Sequence, residues 1–195
     1  MRCEVINIRA VSDSEYRDIS ARLPEELKKR LENCSEDDVR RTLAGRLLLE
    51  RMVKRLYGKE RFEIKYNKNG KPLCDFCFFS ISHSGDFAAV AVSGKSIGVD
   101  IQIPGGFKKR EKYMLFTPAE NEFVNAKDPE NRFYTLWTRK EAYIKAEGGT
   151  LSDAAKISLV SGGELKEKLG EYRFETEKTE SYYLAVCCKY EDRKH

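Results

Sequence analysis

The stretch TLWTR at residues 135–139 lies in a predicted helix and matches TLAGR at residues 42–46 in three of its five positions. Further helix, a glycine turn and a strand pattern follow both stretches. This repeated order predicts an α+β fold of two similar lobes related by a pseudo-two-fold axis, each a small, mostly antiparallel sheet packed on a long helix. No long linker separates the halves, so lobes 1–96 and 97–195 are expected to pack directly and form a cleft for the active site.

Capping residues mark both long helices. Ser35 precedes three acidic residues and an apolar stripe at helical spacing, which predicts a helix that ends at Gly58. A second helix is predicted from Asp128 to Ala146, where two glycines end it. Between and after these helices, short alternating or apolar runs separated by turn residues indicate strands.

Composition narrows the class of protein. The chain has 195 residues, 35% of them charged, with a formal net charge of +4. This mild basic excess is not typical of a dedicated nucleic-acid binder and suits acidic substrates or partners. Neither a signal peptide nor an apolar run of membrane-spanning length is seen, so a cytoplasmic protein without membrane association is expected.

The six cysteines include one CxxC pair, Cys74 and Cys77. A zinc site requires more ligands, and the chain has only two histidines, His83 and His195. The pair also begins an apolar run that reads as a buried strand ending near Ile81. Reduced, structural cysteines are therefore expected in this compartment.

The stretch SISHSGD at residues 80–86 places small hydroxyls, a histidine and a glycine at the end of a predicted strand. Small side chains let a phosphate approach the backbone, and His83 could donate to it. Considered alone, this stretch is better explained by an ordinary hairpin turn with a surface histidine, because such turns are common.

Asp100 lies in the apolar strand GVDIQ at residues 98–102, with Gln102 on the same side. Burial of a carboxylate is unfavourable unless a cation or hydrogen bonds meet it, and magnesium prefers such oxygen ligands. The alternative is a strand-end aspartate that faces water.

The helix WTRKEAYIKAEGG at residues 137–149 places Trp137, Glu141 and Lys145 four residues apart on one face. A carboxylate and a lysine beside an aromatic anchor could form a metal and phosphate site. An amphipathic helix with a stabilising Glu–Lys pair is the simpler alternative.

Considered together, the stretches SHSG, GVDIQ, FTPAE at residues 116–120 and WTRKEAYIK occur in an order that resembles the signature of the phosphopantetheinyl transferases. The likeness runs from about Pro24 to Leu151. It is closer to the monomeric surfactin-synthetase-activating type than to the short trimeric holo-acyl-carrier-protein synthases. The resemblance implies a monomeric enzyme that moves the phosphopantetheine arm of coenzyme A to a serine of an apo acyl, peptidyl or polyketide carrier protein and releases 3′,5′-ADP.

By the same resemblance, Asp100, Gln102 and Glu141 would hold magnesium, or manganese in its place. Gln102 replaces an acid found in many relatives and brings no charge. Glu120, in FTPAE, would be a further ligand or the base that deprotonates the serine, a role that Glu141 could also fill. Lys145 would contact the pyrophosphate and assist the leaving group.

The coenzyme A site implied by the resemblance is basic and hydroxyl-rich. Its members would be Lys29, Arg41, Thr42, Lys71, Ser82, His83 and Lys145. Residues 107–116 mix basic and apolar side chains, which could dock an acidic carrier helix or simply form a solvated loop.

Two other classes of protein fit the sequence less well than a transferase. A non-catalytic module that binds coenzyme A would not need Asp100, Glu120, Glu141 and Lys145 together. A P-loop kinase or ATPase is unsupported because the sequence has no GxxxxGK[ST] motif.

Overall fold

The computed structural model describes residues 1–105 and 114–190. Its helices are α1 (Asp13–Ala21), α2 (Glu25–Leu31), α3 (Glu36–Tyr57), α4 (Pro118–Ala126) and α5 (Pro129–Glu147), with 3-10 helices at Ile8–Ala10 and Leu151–Lys156. Its strands are β1 (Arg2–Asn7), β2 (Lys65–Tyr66), β3 (Pro72–Leu73), β4 (Phe78–Ser84), β5 (Phe87–Ser93), β6 (Ile97–Gln102), β7 (Val160–Ser161), β8 (Glu164–Leu165), β9 (Lys168–Leu169), β10 (Tyr172–Lys178) and β11 (Tyr183–Lys189).

The two main sheets have corresponding strand orders. The first is β1-β5-β4 and the second is β6-β11-β10-β9, and every pairing within them is antiparallel. In each lobe the first strand pairs with the last, and a long helix lies between them in sequence. The predicted α+β fold of two similar, pseudo-two-fold-related lobes is confirmed.

Alternation along the central strands divides the core into three layers. On β5, Val90 and Val92 pack against Met52 of α3, whereas Ala89 and Ala91 face the other lobe. Their partners across the lobe interface are apolar residues of β6 and β11: Ile97, Val99, Ile101, Leu184 and Val186. The sheets therefore pack face to face with the long helices outside them.

Gly98 allows α5 to lie directly on β6. A Cβ atom at this position would be 1.9 Å from the carbonyl oxygen of Ala142 and 2.5 Å from the backbone nitrogen of Ala146. Any side chain at position 98 would therefore push the helix away from the strand. The close approach brings Lys145 of the helix within reach of Asp100 of the strand.

Serine hydroxyls join the lobes where β4 and β6 meet. Each of these strands lies at an edge of its own sheet among the described residues. Alternate serines of β4 accept hydrogen bonds from backbone N–H groups on or just after β6: Ser80 from Val99 at 3.1 Å, Ser82 from Ile101 at 3.4 Å and Ser84 from Ile103 at 3.0 Å. Side chains thus satisfy edge donors that would otherwise be buried without partners.

The long helices begin and end close to where their caps predict. Ser35 accepts a hydrogen bond from the backbone of Asp38, and Gly58 ends α3 with a φ of 67°. Helix α1 is not among the predicted elements, although Ser12 and Glu15 form the capping box that marks its start. The strand predicted from Cys74 is wrong over its first residues, because Cys74–Cys77 forms a turn and β4 begins at Phe78.

No helix within the described ranges combines the length and apolar character that crossing a bilayer requires.

Candidate active site

Asp100 lies at the interface between the lobes, where β6 meets β4. Its side chain is only 2% exposed. Oδ1 accepts from the Ser82 hydroxyl at 2.7 Å and from Lys145 Nζ at 2.7 Å, and Oδ2 accepts from the Gln102 amide at 2.9 Å. Buried carboxylates need such donors because isolated negative charge is poorly solvated in a protein interior. The structure thus excludes the alternative of an aspartate that faces water.

Lys145 reaches Asp100 from the last turns of α5, and it also donates to Ser82 Oγ at 2.9 Å. Its side chain is 30% exposed, so the ammonium group faces solvent as well as the carboxylate. This position lets the same lysine meet a negatively charged ligand that enters the cleft.

Glu141 lies one turn before Lys145 on the same face of α5, and it is half-buried. The helix and β6 run in opposite directions, since Ser96 donates to the carbonyl of Ala146 and Gly98 lies between Ala142 and Ala146. Asp100 follows Gly98 along β6, and Glu141 precedes Ala142 along α5. Because the two elements are antiparallel, Asp100 and Glu141 lie toward the same end of the helix–strand pair. The fold places the two predicted acidic ligands on facing elements.

Gln102 adds a neutral oxygen to this group. Its amide nitrogen donates to Asp100, which directs the amide oxygen away from that carboxylate. Oxygen atoms such as those of Asp100, Glu141 and Gln102 are the ligands that magnesium prefers. Within the described residues no group of three or more His, Cys, Asp or Glu side chains suited to a metal is found.

A second cluster lies next to Ser82, around His83 and Arg41. Arg41 donates to the carbonyl of Gly85 at 3.1 Å and to Asp38 at 2.8 Å. His83 keeps solvent contact, yet desolvation by the surrounding protein lowers the pKa of its imidazole, and the charges of Lys145 and Arg41 lower it further. His83 thus lies near the positive charges of Lys145 and Arg41, an arrangement suited to a phosphate.

The β2–β3 hairpin covers the C-terminal end of α5. Lys71 Nζ donates to the carbonyl oxygen of Ala146 at 2.5 Å, and Asn69 donates to that of Gly148 at 2.7 Å. Burial lowers the pKa of Lys71, while the charge of Glu147 opposes the shift. Between the hairpin, β4 and Lys145 lies a cavity of about 240 Å³ lined by Asn69, Lys71, Ser80, Lys145, Gly148 and their neighbours.

The two remaining predicted nucleotide-site residues lie at the periphery. Thr42 uses its hydroxyl within α3, donating to the carbonyl of Asp38 at 2.9 Å. Lys29 lies on the exposed surface of α2. Among the described residues, no hydrogen bond or ion pair joins Thr42 or Lys29 to the group formed by Asp100, Ser82 and Lys145.

Glu120 occupies a different environment from the one expected of a base. It is fully buried, and its carboxylate accepts from the buried ammonium of Lys140 and from the backbone nitrogens of Thr117 and Leu159, each of those two at 2.8 Å. Lys140 also donates to the carbonyl oxygens of Leu115 and Ile157. These contacts hold α4 and the loop around Leu159 against α5.

Sequence reasoning missed Lys140 as the partner of Glu120, and it missed the bonds that Ser80 and Ser84 form between the lobes. The signal for the serines was their alternation along β4, which places them on one face. Residues 106–113 and 191–195 lie outside the described residues, and so does most of the predicted carrier-docking segment.

Comparison with known proteins relates both halves of the chain to one family. A family model described as "4′-phosphopantetheinyl transferase superfamily" matches residues 96–187, and one described as "4′-phosphopantetheinyl transferase, N-terminal" matches residues 10–95. A curated 4′-phosphopantetheinyl transferase from Bacillus subtilis is 31% identical over 80% of this chain and 77% of its own length.

Two other curated relatives extend the comparison. The 4′-phosphopantetheinyl transferase Sfp of Bacillus subtilis strain 168 is 30% identical over 87% of this chain and 83% of its own length. The 4′-phosphopantetheinyl transferase AcpT of Salmonella typhi is 34% identical over 55% of this chain and 58% of its own length.

Proposed function

This chain belongs to the 4′-phosphopantetheinyl transferase superfamily and is an enzyme of that class, and we propose that it transfers the phosphopantetheine arm of coenzyme A to a serine of an apo carrier protein. In this proposal the reaction depends on magnesium and releases 3′,5′-ADP. The acceptor is an acyl, peptidyl or polyketide carrier domain.

One observation carries the proposal: a buried carboxylate, the ammonium of a partly exposed lysine and a hydroxyl from the opposite lobe meet at Asp100, Lys145 and Ser82. Beside them lie the lysine-lined cavity under the hairpin and the cluster of Arg41 and His83. With the pyrophosphate of coenzyme A at Lys145, a basic group would be available for the one remaining phosphate, the 3′-phosphate, at Arg41 and His83 or at Lys71.

The oxygen donors of Asp100, Glu141 and Gln102 fit magnesium. When bound, the ion would neutralise charge on the pyrophosphate and on the departing phosphate. Asp100 is held for this role by hydrogen bonds from Ser82 and Gln102, which fix the direction of its carboxylate.

For the transfer, the serine hydroxyl of the carrier attacks the β-phosphorus of coenzyme A and loses its proton to Glu141. A new serine O–P bond forms as the P–O bond to 3′,5′-ADP breaks. Lys145 donates hydrogen bonds to the pyrophosphate oxygens as negative charge moves onto the leaving group. We propose Glu141 rather than Glu120 as the base, because the Glu120 carboxylate is buried and already bound to Lys140 and two backbone donors.

We further propose that a single chain in the cytoplasm is sufficient for this reaction. β4 of one lobe and β6 and α5 of the other supply both walls of the cleft. All six cysteines are free thiols, which suits a reducing compartment.

The proposal is tested by intact-mass measurement of an apo carrier protein incubated with this chain, coenzyme A and magnesium. A gain of one phosphopantetheine on the carrier, with equimolar 3′,5′-ADP, is expected. Matched controls omit magnesium or use a carrier whose acceptor serine is replaced by alanine. Unchanged masses for acyl, peptidyl and polyketide carriers alike would reject the proposed reaction.

A further inference from the structure

Cys74 and Cys77 lie at the two ends of the turn that joins β3 to β4. Their sulfur atoms are 3.2 Å apart, and Cys74 Sγ also donates to the carbonyl oxygen of Cys77 at 3.1 Å. We propose that this pair is a reversible disulfide site, closed by exchange with a low-molecular-weight disulfide and opened by a thiol.

The two sulfur atoms need to move only a short distance to form a disulfide bond. A disulfide bond is 2.03–2.05 Å long, so the two sulfurs need to approach by only about 1.2 Å. Phe76, inside the turn, packs edge-on against Tyr57 at 5.4 Å and Phe62 at 5.8 Å between ring centroids. These contacts fix the turn and keep the two thiols together.

The two thiols differ in a way that assigns them separate roles. Cys74 is half-buried, so a small disulfide reaches it from solvent. Cys77 is only 6% exposed and packs with Phe79 and Val90 in the core beneath α3. Burial, then the neighbouring Cys74, raises the pKa of Cys77 to about 12, so its thiol is protonated before exchange begins.

The exchange balances in two steps. The thiolate of Cys74 attacks one sulfur of glutathione disulfide, which forms a mixed disulfide and releases one glutathione thiolate. Cys77 then gives its proton to that thiolate and attacks the Cys74 sulfur, releasing the second glutathione. Two protein thiols are oxidised and one glutathione disulfide is reduced to two glutathiones.

A metal centre is the competing use of a CxxC pair, and the surroundings oppose it. Within residues 1–105 and 114–190 no third Cys, His, Asp or Glu joins the pair as a ligand group. Asp75, inside the turn, is directed to Lys65 at 3.6 Å. A structural zinc site takes four ligands, so two thiols alone are not sufficient to form one.

Closing the bond would link two segments that line the cavity between the β2–β3 hairpin, β4 and Lys145. β3 continues the hairpin that holds Asn69 and Lys71 over α5, and β4 carries Ser80 and Ser82. A disulfide across the turn pins the hairpin to β4 and restricts the unfolded chain. We expect the oxidised protein to melt about 3 °C higher than the reduced one.

The test uses the full chain with Cys34→Ser, because exposed Cys34 would itself take up glutathione. The protein is equilibrated at varied ratios of glutathione to glutathione disulfide, quenched in acid, denatured and alkylated with N-ethylmaleimide. Oxidation should give two fewer adducts by intact mass and a Cys74–Cys77 cross-link by peptide mapping. Dithiothreitol should reverse both changes and the higher melting temperature.

A second variant tests the separate roles of Cys74 and Cys77. With Cys77→Ser added, a glutathione adduct should remain on Cys74 and the rise in melting temperature should disappear. A full adduct count at every ratio, or a cross-link to Cys3, Cys187 or Cys188 instead, would overturn the proposal. No readout uses coenzyme A or a carrier protein, so this result is independent of the proposed transferase reaction.

Discussion

The Ser82 hydroxyl donates to Asp100 Oδ1 at 2.7 Å while it accepts from Lys145 Nζ at 2.9 Å. One oxygen of the first lobe thus orients the carboxylate and the ammonium of the second. Because the hydroxyl also accepts from the backbone of Ile101, a single side chain couples the packing of the lobes to the geometry of the site.

Ser82→Ala should therefore lower activity more than stability. Loss of the hydroxyl removes a donor to Asp100 and should reduce the free energy of unfolding by about 1 kcal/mol. We expect a fall in kcat of at least about tenfold, since the carboxylate is no longer oriented.

Ser84→Ala is the matched control, because Ser84 accepts from Ile103 at 3.0 Å in the same series of inter-lobe bonds. Urea denaturation and single-turnover transfer assays compare the two variants. Equal losses of kcat in both would show that Ser82 acts only by joining the lobes.

Asp100→Ala and Glu141→Gln should each abolish transfer while the fold stays intact. Each removes a negatively charged oxygen ligand from the proposed magnesium site, and Glu141→Gln also removes the proposed base. Circular dichroism should match the parent, and magnesium titration by calorimetry should show weaker binding. Turnover retained by either variant at saturating magnesium would refute the assignment of that residue.

Gly98→Ala should disturb both the packing of α5 on β6 and the position of Lys145 in the candidate active site. The added Cβ would lie 1.9 Å from the carbonyl oxygen of Ala142, so α5 has to move away from β6. We expect a loss of about 3 kcal/mol in the free energy of unfolding, with lower activity because Lys145 moves from Asp100.

Gly94→Ala provides the comparison, since a Cβ there would meet no atom within 4 Å. Its stability should stay within about 0.5 kcal/mol of the parent by chemical denaturation. If the two alanine variants were equally stable, the close approach of helix and strand would not depend on Gly98.

Glu120→Gln should act mainly on stability. It leaves the buried ammonium of Lys140 without its counter-charge, which costs about 3–5 kcal/mol in comparable buried pairs. Burial already lowers the pKa of Lys140, and the carboxylate of Glu120 opposes that shift.

The double variant Glu120→Gln with Lys140→Met separates structure from catalysis. It removes both buried charges and keeps an amide oxygen that can accept from the backbone nitrogen of Thr117 or Leu159, so it should recover much of the stability lost in Glu120→Gln. Under conditions where the double variant is folded, single-turnover rates should approach those of the parent. A folded double variant with abolished chemistry would restore Glu120 as the base.

His83 should report binding of the nucleotide. Desolvation, Lys145 and Arg41 hold the pKa of its imidazole below the ordinary value in the free protein. A bound phosphate dianion favours the charged imidazolium, so 3′,5′-ADP should raise this pKa. Binding of 3′,5′-ADP should therefore become tighter as the pH falls from the imidazole pKa of the complex to the lower pKa of the free protein. Over this interval His83 is charged in the complex but neutral in the free protein.

NMR titration of the imidazole with and without 3′,5′-ADP measures both pKa values. The resonance is assigned with His83→Gln, which also removes the contribution of His83 to the pH dependence of binding. An imidazole pKa that 3′,5′-ADP leaves unchanged would place the phosphates elsewhere.

The groove between β1 and β10 differs from the candidate active site in its charge. It is lined by three carboxylates, Glu4, Glu175 and Glu177, and by one guanidinium, Arg2. Because this excess of negative charge disfavours an anionic ligand, we expect one coenzyme A to bind per chain.

Local signals in the sequence determined the helices and most strands. Ser35, Gly58 and Gly148 act on neighbouring backbone groups, so their effect on helix ends is readable without the rest of the chain. The Thr117–Glu120 capping box is likewise formed by residues only three positions apart in the chain. The small hairpin strands and the turn at Cys74 were harder to place, because short apolar runs do not distinguish a strand from a packed turn.

The sequence alone determined the α+β lobes, their order and the residue types available for chemistry. Tertiary structure decided how those residues are used: Ser82 and Asp100 meet across 18 positions of the chain, Asp100 and Lys145 across 45, and Glu120 turns inward to Lys140 across 20. Periodicity shows which side chains share a face of one element. Which opposing element covers that face depends on packing between distant segments, so it becomes visible only in the folded chain.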